Sequence, residues 1–113
     1  MKKFLAIYVG SATAEERDAF RMDSERLQAG MTAWGQWMND HAAAIVDAGG
    51  PLGKTKRADR AGVSDTSNRM TGYLIVQAET HDDAARMFEG HPHFSVFPGE
   101  AVEVMECLPM PGA

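Results

Sequence analysis

Residues 32–52 read T-A-W-G-Q-W-M-N-D-H-A-A-A-I-V-D-A-G-G-P-L. Trp34, Trp37, Met38, His41, Ile45 and Ala48 recur at helical spacing, so the stretch predicts an amphipathic helix with one apolar stripe. Thr32 is its candidate N-cap. Gly49, Gly50 and Pro51 predict its end near Ala48, because a proline cannot continue the hydrogen-bond ladder. The stripe carries one ionisable residue, His41. Two tryptophans and a histidine on one face describe either a core helix with a hydrogen-bonded histidine or one wall of a pocket.

Toward the N-terminus, residues 3–9 alternate Phe4, Ala6, Tyr8 against Leu5, Ile7, Val9 and predict a strand that is apolar on both faces. Thr13 and Glu16 have the spacing of a capping box, so residues 14–29 predict an extra N-terminal helical segment, with Phe20 and Leu27 as its apolar contacts. Gly30 predicts a break or bend. Beyond the central stretch, residues 52–58 (L-G-K-T-K-R-A) predict an edge strand whose Lys54, Lys56 and Arg57 discourage association. Residues 59–69 read as a turn or loop with a short strand near Val63. Residues 70–79 predict a second strongly apolar strand. Thr80 and Asp83 then open a short helix that buries Ala84, Met87 and Phe88 and ends at Gly90 and Pro92. Residues 94–99 form an aromatic-anchored loop, and residues 101–108 predict the last strand, with Cys107 buried.

The order strand, helix, strand, strand, helix, strand predicts an α+β, ferredoxin-like βαββαβ fold with an antiparallel sheet. Its first and third strands are central, and these are the two most apolar ones. Two helices cover only one face of such a sheet, so the other face calls for a second copy. The expected assembly is a homodimer, a dimeric α+β barrel. The expected organisation is one domain over residues 1–108 and a Pro- and Gly-containing tail over 109–113.

The chain has 113 residues, enough for one domain and too few for two. With 11 basic and 16 acidic residues it carries −5, which argues against nucleic-acid and anionic-membrane partners. The single cysteine allows no internal disulfide, and a cytoplasmic setting is expected. No apolar run approaches the length of a bilayer span.

Several segments together resemble the YCII-related family of small bacterial proteins. They are K-F-L-A-I-Y, W-G-Q-W-M-N-D-H-A-A-A-I-V-D-A-G-G-P-L, G-Y-L-I-V-Q-A, D-D-A-A-R-M-F, H-P and V-E-V-M-E, in that order over roughly residues 2–108. The resemblance implies a dimeric α+β barrel. It also implies a histidine on the first long helix working with a nearby aspartate, and His41 takes that place before G-P-L. In one branch of the family the reaction removes chloride from a chlorinated aromatic diol. This chain departs from the pattern after Leu52, where Gly53, Lys54 and Thr55 stand and no aspartate. His91-Pro92 stands where many relatives have Asp-Pro, and D-T-S-N from Asp65 replaces the Asp-Gly-Pro-Phe signature of another branch. The resemblance therefore carries the fold over and leaves the reaction open.

The expected function is binding of a small molecule in a pocket beside the central helix, with Trp34 and Trp37 stacking on the ligand and Arg69 holding it. The alternative is an enzyme in which His41 acts as general acid or base, oriented by His91 or by a carboxylate that the sequence does not single out, on a small aromatic or anionic compound. Asp40 is adjacent to His41 but points about 100° away on a helix. His91 and His93, with His41, would make a three-histidine metal site only if the fold brought them together, and no metal or cofactor is expected. A-G-G-P-L-G-K-T (48–55) comes close to a phosphate-binding loop, but that motif needs a strand before it and a helix after it. A helix is expected before it and no helix after.

Overall fold

The alternating N-terminal run forms strand β1 (Lys2–Val9), and Phe4, Ala6 and Tyr8 are its buried residues. This computed structural model describes residues 1–19 and 22–112. Phe20, expected to anchor the first helical segment, lies outside them. After β1 come α1 (Ala14–Ala19), α2 (Ser24–Asp40), a 3₁₀ turn (Ala42–Ala44) and β2 (Ile45–Pro51). The hairpin β3 (Thr55–Asp59) and β4 (Gly62–Thr66) is next. The chain then forms β5 (Met70–Ala78), α3 (His81–Arg86), α4 (Pro92–Ser95) and β6 (Ala101–Glu106).

Four strands form one antiparallel sheet in the order β2-β5-β1-β6, the ferredoxin-like order with the two most apolar strands in the centre. Register places Phe4 opposite Val76 and Ala6 opposite Leu74, all on the face that the helices cover. Trp37, Ala84 and Phe88 complete that core. Each large apolar side chain buried there stabilises the fold by about 1.5–3 kcal/mol. The alternate residues Leu5, Ile7, Tyr73 and Ile75, on the opposite face, remain half-buried. Among the described residues no helix is long and apolar enough to cross a membrane.

Both capping expectations hold at their helix starts. Thr13 N–H donates to Glu16 Oε1 at 2.9 Å and Glu16 N–H to Thr13 Oγ1 at 3.2 Å, and these bonds hold the Glu16 carboxyl below its ordinary pKa. Thr80 Oγ1 accepts from Asp83 N–H at 3.0 Å.

The central stretch differs from its sequence reading at both ends. α2 is capped by Asp23, whose carboxylate accepts from Arg26 N–H, and it runs through Gly30 without a break. One glycine costs a helix only about 1 kcal/mol, and here it makes room for the Phe97 ring, which a Cβ at Gly30 would strike. The Arg26 guanidinium also binds the Val96 carbonyl, at 2.8 and 3.1 Å, which ties the start of α2 to the end of α4.

At the other end, α2 stops at Asp40 and not near Ala48, and Ile45 and Val46 belong to the second strand of the sheet. Ile45 and Ala48 fit the helical period, yet β-branched residues gain more by pairing with β5, where Ile45 lies opposite Val76. Gly49, at φ +62°, lets β2 bulge close over the Tyr73 carbonyl.

Residues 52–58, expected as the sheet's edge strand, instead enter the separate β3–β4 hairpin, and the Val63 segment is its return strand. There Lys56 pairs with Asp65 and Arg57 with Asp59, and all four side chains are exposed. Cys107 is exposed, not buried, because β6 ends one residue before it.

Candidate functional site

Tyr8 belongs to the covered face of β1, so its ring is directed beneath α2. There it meets Trp34 (ring centroids 4.8 Å apart), His91 (5.1 Å) and His93 (5.2 Å). Its hydroxyl lies 3.2 Å from His91 Nε2. His91 is fully buried and caps α4, its Nδ1 accepting the His93 backbone N–H at 2.9 Å. A nitrogen that accepts carries no hydrogen, so neutral His91 has its hydrogen on Nε2 and donates it to Tyr8 Oη. Burial pushes the His91 pKa down to about 4, and the neighbouring His93 and His41 push the same way. Burial also raises the Tyr8 pKa, so its hydroxyl keeps its hydrogen. His93 Nε2–H donates to the Val9 carbonyl at 2.8 Å, over Gly99, where any Cβ would strike the imidazole.

Beside this cluster lies a cavity of about 430 Å³ between α2 and the β2–β5 edge of the sheet. Leu27, Met31, Trp34 and Met38 line it from successive turns of α2. Ala48, Gly50, Pro51, Thr71, Gly72 and Tyr73 form the opposite wall, and Tyr8, His93 and Phe97 close it. Its side-chain polar groups are few: the Tyr8 hydroxyl, the His93 ring, and Thr71 Oγ1, whose hydrogen goes to the Tyr8 carbonyl at 3.1 Å. A second cavity of about 620 Å³ shares Leu27, Thr71, His93 and Phe97 with the first and is bordered by Ser11, Glu16 and Arg17.

The residues singled out in the sequence separate here. Trp34 is half-buried and lines the cavity. Trp37 is buried in the core, stacked on Phe88 with ring centroids 5.0 Å apart, and its indole N–H donates to the Met87 carbonyl at 3.0 Å. His91 stands behind Tyr8 and is not part of the lining. His41 is half-buried, stacked on Trp37 with centroids 4.3 Å apart, and outside the lining. Its Nδ1–H donates to the Trp37 carbonyl at 2.8 Å, which leaves Nε2 as an acceptor.

The carboxylates near His41 in sequence are engaged elsewhere. Asp40 accepts from Gln36 and Asp47 from Gly49 N–H. Arg69 is exposed and outside both linings; its carbonyl accepts from Gly10 N–H at 2.7 Å. Among the described residues no three metal-binding side chains converge. The A-G-G-P-L-G-K-T segment begins within strand β2 and not at the end of a helix, yet it leads into β3 and not into the helix a phosphate loop requires.

Two members of the cavity wall have weaker signals in the sequence. Tyr8 is marked only by its place on the buried face of a central strand, where a hydroxyl needs a partner. His93 is marked only as a neighbour of His91.

No family model matches the sequence, and no curated protein matches it. The chain is similar in structure to the 5-chloro-2-hydroxyhydroquinone dehydrochlorinase TftG from Burkholderia phenoliruptrix AC1100, solved in complex with 2,5-dihydroxybenzoquinone. The TM-score is 0.55 at 20% identity, over 94% of this chain and 93% of that one, and the two share the ferredoxin-like α+β fold.

Proposed function

We propose that this chain is a YCII-related protein that binds a small, flat, oxygen-bearing ring in the 430 Å³ cavity beside α2. The observation that carries the reading is the cavity itself. It is mostly apolar, with Trp34 and Phe97 at its wall and a few polar groups gathered at Tyr8, Thr71 and His93, which is the composition of a small-molecule site. The ligand in the TftG complex is a ring of this kind, which supports the choice of class. The working unit is a homodimer whose open sheet faces, with Leu5, Ile7 and Ile75, pack together.

Isothermal titration calorimetry with 2,5-dihydroxybenzoquinone, catechol and hydroquinone tests the binding. At least one gives saturable heat and raises the melting temperature, and Trp34→Ala weakens that binding about fivefold or more. Absence of heat and of thermal shift with all three at about 1 mM overturns the reading.

A second reading, general acid–base catalysis, is favoured by the geometry at His41. With Nδ1–H held by the Trp37 carbonyl, Nε2 is a half-exposed, oriented proton acceptor. In that reading His41 moves the proton, His91 shapes the buried side of the cluster, Trp37 carries the His41 ring, and Arg69 attracts an anionic substrate. Loss of turnover in His41→Ala with ligand binding retained supports it; equal turnover in the variant removes it.

A further inference from the structure

The chain of hydrogen bonds behind the cavity has a direction. His93 N–H donates to His91 Nδ1, and His91 Nε2–H donates to Tyr8 Oη. Tyr8 therefore receives a hydrogen from the protein, and among the described residues its own hydroxyl hydrogen has no acceptor. Both nitrogens of His91 are occupied, and Tyr8 is a cavity-lining residue. A buried donor without a partner is costly, and a ligand that supplies an acceptor removes that cost.

We infer that Tyr8, oriented by His91, is the specificity-determining donor of the cavity and takes a ring carbonyl oxygen of the ligand. The inference rests on the cavity being the ligand site. A carbonyl oxygen only accepts, so it satisfies Tyr8 and leaves nothing unpaired. A ring hydroxyl in the same place can also accept from Tyr8, but it brings a hydrogen of its own that needs a further acceptor, and both His91 nitrogens are already engaged. The pair thus favours a quinone over the corresponding polyphenol. Burial of both groups keeps the arrangement in one protonation state, with His91 neutral down to about pH 4 and Tyr8 holding its hydrogen.

The test compares 2,5-dihydroxybenzoquinone with its reduced form, 1,2,4,5-tetrahydroxybenzene, under anaerobic conditions, against wild type, Tyr8→Phe, His91→Gln and His91→Leu. Tyr8→Phe keeps the ring and its packing, so folding is preserved. It weakens the quinone about tenfold and leaves the polyphenol within about twofold. The infrared carbonyl band of the bound quinone, lowered by the Tyr8 hydrogen bond in wild type, moves back toward its position in solvent. His91→Gln, which can still donate to Tyr8, retains most of the band shift, whereas His91→Leu loses it.

Tight quinone binding with an unchanged band in Tyr8→Phe overturns the inference and leaves the cavity reading standing. Equal weakening of quinone and polyphenol overturns the carbonyl preference. No binding of either ring to wild type overturns both this inference and the function proposed above.

Discussion

At His91 the Nδ1 position is already filled by the His93 N–H, so a proton arriving in mild acid finds no lone pair without breaking the α4 cap. The folded-state pKa of about 4 lies below the ordinary 6.5. Between those values the unfolded chain binds more protons than the folded one, so stability rises with pH across this window and falls as pH drops through it. The slope approaches ~1.4 kcal/mol per pH unit for one proton. Urea denaturation at intervals from pH 4 to 7 measures it, and His91→Gln flattens that part of the profile. A second prediction at this scale concerns Gly49. Its φ of +62° is costly for any other L-residue, and a Cβ there meets the Tyr73 carbonyl. Gly49→Ala destabilises by about 2 kcal/mol or more, read as a lower denaturation midpoint.

Among the elements, α2 carries a conflict whose resolution can be measured. Gly30→Ala improves helix propensity by about 1 kcal/mol but drives a methyl group into the Phe97 ring. Alone it displaces Phe97 from the cavity wall and weakens ligand binding. Combined with Phe97→Ala it gains about 1 kcal/mol over that single variant, and a double-mutant cycle by thermal denaturation reads the coupling. For α3, Thr80→Ala costs about 1 kcal/mol through the lost cap.

These elements also mark how far the sequence could be read. β1 and β5 were legible because both of their faces are apolar, and the caps at Thr13 and Thr80 because they are local. β2 was not, since Ile45 and Ala48 continue the helical period of Trp34 and Trp37. What separates them is the pairing of Ile45 with Val76, which lies far along the chain. Trp34 was legible as a pocket candidate. The Tyr8–His91 contact joins residues 83 positions apart, and alternation along β1 says which face Tyr8 occupies without saying what waits there.

On the scale of the whole molecule, the sheet has one face under helices and one without. Leu5, Ile7, Tyr73 and Ile75 keep their apolar side chains half-buried on the open side. The proposed homodimer covers them. Ile7→Glu places a charge in the middle of that patch, and light scattering at micromolar concentration is expected to give a monomer, with far-UV circular dichroism retained. A wild-type monomer under the same conditions removes the proposal.

The β3–β4 hairpin leaves the sheet between two strands that are themselves hydrogen-bonded neighbours. Pro51 faces Gly72, and Leu52 N–H donates to the Thr71 carbonyl at 2.9 Å, so the excursion is closed at its root. Its largely exposed strands add nothing to the core cluster. The chain therefore carries an exchangeable cassette. Residues between Leu52 and Asn68 can be shortened, lengthened or swapped over evolutionary time while the register of the sheet and the cavity's wall stay fixed.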